Sequence, residues 1–393
     1  MQVSRITFVN ACVLGSHGVI ASSLRMAHGR IDALNPVPQP SDVVIDLKGA
    51  VVAPGLINAH DHLELNHFGR LKWRERYDNV RGWIDDFRPR LDTDPVLTLP
   101  RAVRLADRLL IGGLKNLLAG VTTACHHNPL YRPLRRGFPV RVVTRCRYSH
   151  SLQLDGDAVA REYRRTPKDW PWIIHLAEGT DAEAASELER LDRLGCLDAN
   201  TIVVHGVGLT PGDRAKVIEQ GGGLIWCPSS NLFILGATAA VRDLAREGKV
   251  ALGSDSRLSG ERDLLDELRV AESTDQVGAT DLFRMVTLDA AQMLRLRDAG
   301  RIEPGLPADL AVFPSTDPDP FESIIHARRA DVRLVLIAGR PLYGDADLQP
   351  IFDMTGTAAS HVRVDGREKR LISWIVGSLR SSTLGEAGLE IGL

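Results

Sequence analysis

Two histidines one residue apart, His60 and His62 in Pro54-Gly-Leu-Ile-Asn-Ala-His-Asp-His62, are the residues of this chain best suited to chemistry. In extended backbone, side chains at i and i+2 leave the same face, so both imidazoles can reach one cation at about 2.0–2.1 Å. One further imidazole and one carboxylate would complete a catalytic metal site with an open position for water. Candidates stand where other apolar runs stop: His175 and Glu178 in His175-Leu-Ala-Glu178, His205 after Thr201–Val204, and Asp255 after Val250–Ser254. Because no thiolate is offered, the set suits zinc, with iron or manganese as less selective alternatives. Taken singly, each has a commoner structural use. An isolated His-x-His or a lone rim histidine is usually satisfied by hydrogen bonds, and an aspartate after Leu252-Gly-Ser254 is usually a turn or helix cap. Their joint recurrence at successive strand ends carries the metal reading.

A parallel sheet is needed to position these residues. Strand-like runs at Ala50–Ile57, Val121–Cys125, Val140–Tyr148, Trp172–Leu176, Thr201–His205, Gly223–Cys227 and Val250–Ser254 alternate with helical stretches such as Leu97–Leu118 and Asp263–Glu272. This alternation predicts an α/β fold with a parallel sheet or (β/α) barrel, whose C-terminal rim is the catalytic end. Between Val121 and His175 only Val140–Tyr148 reads as a strand where an eight-stranded barrel needs two, so one βα unit is expected to be degenerate. Short strands at Ile6–Leu14, Val19–Met26 and Val43–Leu47, and again at Ala308–Phe313 and Asp331–Ile337, predict a small β domain built from both chain ends. Residues 351–393 read as a helix followed by a frayed terminus. The expected division is 1–53 and 303–350 for the two parts of the β domain, 54–302 for the barrel, and 351–393 for a C-terminal extension.

In order along the chain, these motifs resemble the amidohydrolase superfamily, and within it the branch of cytosine, guanine and S-adenosylhomocysteine deaminases and chlorohydrolases. Pro54–His62 is similar to that branch's first-strand signature, His175-Leu-Ala-Glu178 to its His-x-x-Glu, and Val204-His-Gly206 to its next histidine. Cys227-Pro-Ser-Ser-Asn231, Leu252-Gly-Ser-Asp255 and Arg301-Ile-Glu-Pro-Gly-Leu-Pro-Ala-Asp-Leu310 continue the series.

The resemblance implies a TIM-like barrel beside a β-sandwich, with one divalent ion on His60, His62, His175 and Asp255. It further implies a metal-activated water attacking a carbon flanked by nitrogen. Glu178 would shuttle its proton, His205 would orient the water, and Asp255 would act as base as well as ligand. Other branches bridge two metals with a carboxylated lysine at a strand end. None of the lysines here ends a strand on the catalytic side, so a single ion is expected. His127 and His150, after the second and third strands, are candidate substrate contacts, and Trp73 and Trp83 lie where a lid would form.

The expected activity is hydrolytic deamination of a small nitrogen heterocycle. Alternatives are ring opening of a cyclic amide or imidazolone, dehalogenation at the same carbon, and a non-catalytic scaffold. With 44% hydrophobic and 25% charged residues the composition is that of a globular protein, and a formal net charge of -2 over 393 residues gives no reason to expect nucleic acid as a partner. A small-molecule substrate remains, and the resemblance adds a homodimer. Five scattered cysteines without a Cys-x-x-Cys pattern indicate no disulfide framework and fit a cytoplasmic setting. Met1–Asn10 alternates like a strand rather than a leader, and nothing approaches the ~20 apolar residues of a membrane span.

Overall fold

Gly55 divides the apolar run that leads to the histidine pair. A side chain there would collide with Thr122, and the chain turns from one sheet into another at this point. The run predicted as one strand is therefore two. Val51–Pro54 joins a nine-stranded sheet, whereas Leu56–Asp61 enters a parallel sheet and carries His60 within it. The computed structural model describes residues 5–392; the first four residues of the N-terminal run lie outside the described residues.

Two parallel sheets form the α/β body, which is TIM-barrel-like. One orders Arg141–Val142, Val121–His126 and Leu56–Asp61, and the other runs from Arg147–Ser149 through Trp172–Leu176, Thr201–His205 and Gly223–Trp226 to Val250–Leu252. An isolated parallel bridge between Asp61 and Asp255 joins them at one side. At the other side, the stretch read as one strand, Val140–Tyr148, serves both sheets. Arg141 and Val142 pair with Thr123 and Ala124, while Arg147 and Tyr148 pair with Trp172 and Ile173. A single tilted stretch thus contacts both neighbours.

The predicted Leu97–Leu118 helix is likewise two helices, Pro95–Arg101 and Leu105–Leu118, separated by three residues. The second packs Leu110, Ile111, Leu114, Leu117 and Leu118 into the core that also holds Val121, Ala124, Trp172 and Ile174. Each such side chain contributes about 1.5–3 kcal/mol when fully buried. Gly112 of this helix lies against the Leu63 carbonyl, where a Cβ would overlap the backbone that follows His62. Gly112→Ala is expected to destabilise the protein by about 1–3 kcal/mol through overpacking. Denaturant unfolding checks this, and an unchanged midpoint would contradict the close approach.

Both chain ends contribute to the β region. Arg30–Leu34, Leu24–Ala27, Arg5–Val9 and Asp42–Asp46 form a four-stranded sheet. The nine-stranded sheet combines Val51–Pro54, Cys12–Leu14 and Val19–Ala21 with Leu310–Phe313, Leu334–Ile337 and Arg340–Asp345. Ile6, Phe8 and Met26 of the smaller sheet share an apolar cluster with Val13, Leu310 and Leu336 of the larger.

The C-terminal stretch departs from its expected frayed form. Ala359–Val364 and Arg367–Ile372 pair as an antiparallel hairpin on the large sheet, Ser373–Arg380 is helical, and Leu389–Ile391 adds an edge strand. The reason is a period-two pattern hidden in a polar composition: Val362 and Val364 are buried while His361 and Arg363 face outward. Among the described residues, no helix is long and apolar enough to cross a membrane.

Candidate active site

Alternation along Leu56–Asp61 and its continuation sends His60 and His62 to one side and Asp61 to the other. Asp61 is buried and held by Asn58 (3.1 Å), Asn66 (2.7 Å) and Asn116 (2.8 Å), with the Lys115 ammonium at 3.4 Å. These contacts anchor the backbone between the two histidines. On the opposite side, His60 Nε2 lies 3.2 Å from His175 Nε2 and 3.9 Å from Asp255 Oδ1, and His62 Nε2 lies 3.6 Å from the same oxygen.

Separations of this size fit a shared cation. Ligand atoms at 2.0–2.1 Å from a tetrahedral ion are roughly 3.3–3.5 Å apart. Two overlapping ligand groups emerge, His60 with His62 and Asp255, and His60 with His175 and His205. The structure therefore divides the four expected ligands between two groups that share His60, with His62 and Asp255 in one and His175 in the other, and places His205 beside His175 in the second.

Protonation favours lone pairs facing inward. Burial, followed by the neighbouring imidazoles, pushes His60 well below the usual histidine range, and burial also lowers His175 and His205. His175 Nδ1 lies 2.8 Å from the His150 carbonyl and His205 Nδ1 lies 2.8 Å from Asn231 Oδ1. A proton on each Nδ1 satisfies these acceptors and leaves Nε2 free to bind. Asp255 is oriented similarly, since its Oδ2 accepts from Ser230 and Ser259, both at 2.8 Å, and Oδ1 turns to the histidines. Burial opposes its charge, but His62, His205, His175 and the Ser230 hydroxyl together hold its pKa below the usual value.

Glu178 stands beside this cluster, 3.5 Å from His205 Nε2. Burial, reinforced by the charges of Asp255 and Glu187, pushes its pKa well above the ordinary carboxylate range. Three residues with positive φ stand at the same rim. Ala177 (φ 54°), His205 (φ 72°) and Asp255 (φ 48°) adopt left-handed conformations that non-glycine residues seldom take.

A cavity, open at its mouth, lies over the cluster. His62, His175, Glu178, His205 and Asp255 contribute its polar face, and Leu65, Val80, Trp83, Ile84, Leu154, Ile234 and Leu258 its apolar one. Val80, Trp83 and Ile84 come from the helix Val80–Phe87, whose start is tied to the loop after Trp172–Leu176 by a Val80 N–H to Glu178 carbonyl bond of 3.0 Å. His150 lies on the cavity wall as expected of a substrate contact. His127 does not. It is buried behind His175 with ring centroids 4.3 Å apart, its Nε2 engaged by the Ser149 carbonyl at 3.1 Å. Trp73 packs near Phe87, away from the cavity lining.

Sequence reading assigned no supporting role to the residues around the candidate ligands: Asn58, Asn66, Lys115 and Asn116 around Asp61, Ser230 and Ser259 on Asp255, and Glu64 with Asn128, the last read only as a rim residue that could touch substrate. The Asn128 amide reaches His62 Nδ1 (3.2 Å), Glu64 (2.6 Å) and His150 Nε2 (3.2 Å). Binding a cation through His62 Nε2 places the ring proton on Nδ1, which needs the amide oxygen turned toward it and a proton on Glu64. Burial raises the Glu64 pKa in that direction. Asn58, inside Pro54–His62, and Ser230 and Asn231, inside Cys227-Pro-Ser-Ser-Asn231, are supporting residues that lie within motifs legible in the sequence.

Residues 172–342 match the Amidohydrolase family, which bears out the recognition made from the motifs. A 5-methylthioadenosine/S-adenosylhomocysteine deaminase of Haloarcula marismortui is 30% identical over 52% of this chain and 53% of its own length. A 5'-deoxyadenosine deaminase of Methanothermobacter thermautotrophicus is 26% identical over 86% of this chain and 92% of its own. Among solved structures, a zinc-bound adenosine deaminase from Xanthomonas campestris superposes with a TM-score of 0.71 at 20% identity, covering 86% of this chain and 92% of that one. That likeness carries the fold.

Proposed function

We propose that the protein is a metal-dependent amidohydrolase that removes an amino group from a small nitrogen heterocycle, with one divalent ion, zinc in the first instance, on His60, His62, His175 and Asp255. What supports this reading is that His60 belongs to two close groups of candidate ligand atoms, one with His62 and Asp255 and one with His175 and His205, beneath a cavity that also presents Glu178. The deaminase names of the relatives support it. A divalent ion held there supplies the Lewis acidity that makes water nucleophilic at neutral pH.

The chain's own residues manage the protons. With its raised pKa, the Glu178 carboxyl gives its proton to the ring nitrogen as the carbon–oxygen bond forms; the proton that Asp255 takes from the water goes to the departing amine as the carbon–nitrogen bond breaks and ammonia leaves, and the second water proton returns to Glu178. His205, fixed by Asn231, holds the developing oxyanion and the attacking water in line. Asp255 draws the water proton. We read the fold that supports this chemistry as a (β/α) barrel over 54–302 with a degenerate unit at 140–149. A β-sandwich over 1–53 and 303–350 and the extension 351–393 complete the chain.

The cavity also selects by charge. Among the described residues no lysine or arginine lines it, and its only carboxylates are Glu178 and Asp255. A substrate whose ring bears an uncharged, largely apolar substituent fits, whereas a phosphate or amino-acid tail held within the cavity would find no lysine or arginine to pair with. Ammonia release over a panel of amino-heterocycles, each in neutral and charged-substituent forms, tests both points. The neutral forms are expected to be turned over at least about 100-fold more efficiently, a difference near 2.7 kcal/mol. Product formation without ammonia would redirect the activity to ring opening or loss of another group. Trp83→Ala is expected to raise KM roughly tenfold with little change in kcat, because the wall binds substrate and transition state alike.

A further inference from the structure

The C-terminal extension carries a buried carboxylate, between its helix and its last strand, with several cationic partners. Glu386 is 3% exposed and accepts from both terminal nitrogens of Arg257, at 2.9 and 2.7 Å, and from Arg329 at 2.5 Å. Arg329, fully buried, also pairs through Nε and Nη2 with Asp365 at 2.9 and 2.8 Å and donates to the Ala387 carbonyl. Asp365 lies in the hairpin turn, and its backbone N–H donates to the Gly388 carbonyl at 2.8 Å. The extension is therefore closed around Arg329 as a strap.

From Arg257 the network continues into the metal-binding cluster. Arg257 follows Asp255 by two residues. Its backbone N–H donates to Asn66 Oδ1 at 3.1 Å, and its guanidinium to the Asn66 carbonyl at 3.3 Å. Asn66 in turn donates to Asp61, between His60 and His62, at 2.7 Å. Lys115 bridges the same two arms, 2.8 Å from Asn66 Oδ1 and 3.4 Å from the Asp255 carbonyl. One bidentate guanidinium thus couples the strap to two of the three elements that carry the proposed ligands, the His60–His62 strand and the Asp255 loop. Such planar pairing fixes direction as well as distance.

We propose that Glu386 is a positioning residue for the metal site: through Arg257 and Asn66 it holds the Asp255 loop and the His60–His62 strand at ligand spacing. This rests on the metal site proposed above. It gives the C-terminal extension a task beyond extending the sheet. A small loosening matters because a ligand set tolerates little displacement, and loss of an outer hydrogen-bonding partner commonly costs about 10–100-fold in metal affinity.

The test is zinc affinity of the full-length protein, measured by chelator competition at a temperature where each variant is folded, alongside the Tm of the metal-free form. Glu386→Gln removes the charge while keeping the shape. Arg257→Met removes the guanidinium but leaves Glu386 paired with Arg329, so it serves if Glu386→Gln does not fold. Each is expected to bind zinc about tenfold or more weakly than wild type, whatever the change in Tm. If wild type binds zinc and the folded variants bind it within twofold of wild type, the strap is only structural and the proposal fails. If wild type itself does not bind zinc, the failure belongs to the metal site.

Discussion

Glu178→Gln is expected to lower kcat by about three orders of magnitude while leaving the bound metal in place, since positioned general acid–base catalysis contributes typically 10²–10⁴-fold. Glutamine keeps the size of the side chain and loses only the exchangeable proton. Metal analysis and steady-state kinetics of the same preparation check this, and near-normal turnover would remove Glu178 from the reaction. The substitution has a second, pH-dependent signature. Because burial raises the folded-state pKa of Glu178, the folded protein holds this proton more tightly than the unfolded chain. Its contribution to stability is complete below the unfolded value of about 4.3 and is lost as pH rises through the folded value. Glutamine mimics the protonated form. Metal-free Glu178→Gln should therefore gain in Tm relative to wild type as pH goes from 4 to 8, and a constant difference would contradict the assigned protonation.

Removal of the metal, by chelation or by His60→Ala or Asp255→Asn, is expected to depress turnover about a thousandfold or more, because activation of water at neutral pH depends on the ion. The single-residue variants should also lose metal from the purified protein. His205→Ala separates two roles that distance alone does not, since His205 lies in one of the two ligand groups with His60 and His175. With His205 orienting the water rather than binding the ion, this variant is expected to retain the metal and lose turnover. Loss of metal would instead make His205 a ligand. Restoration of activity by zinc after chelation of wild type completes the experiment.

The parts of the site legible in sequence were those marked by residue type at a strand end. His60, His62, His175, Glu178, His205 and Asp255 are polar residues where apolar runs stop, and the structure gathers all six at one rim. Harder to read were residues whose role depends on what lies across the fold. Lys115 and Asn116 sit in an apolar helix and become contacts of Asp61 only because Gly112 lets that helix approach the Leu63 carbonyl. His127 illustrates the opposite error. Adjacent residues on a strand point to opposite sides, and position after an apolar run did not tell which side of His175 the ring would occupy.

Element boundaries failed for an equally local reason. Continuous apolar runs such as Ala50–Ile57 hide a change of sheet when both halves are buried, and only the collision that a side chain at Gly55 would make with Thr122 marks the break. The C-terminal hairpin was obscured by composition, because its buried half alternates with charge. Beyond the hairpin, the buried Glu386 could not be paired with Arg257 and Arg329 from spacing, as the partners lie 129 and 57 residues away.

Everything proposed for the chemistry depends on one ion occupying the space between His60, His62, His175 and Asp255. Anomalous diffraction at the zinc edge, on crystals of the zinc-loaded protein, tests this most directly. A single strong peak per chain is expected, about 2.0–2.2 Å from the three Nε2 atoms and one Asp255 oxygen. Two peaks in the cavity, or one peak held elsewhere, would contradict it.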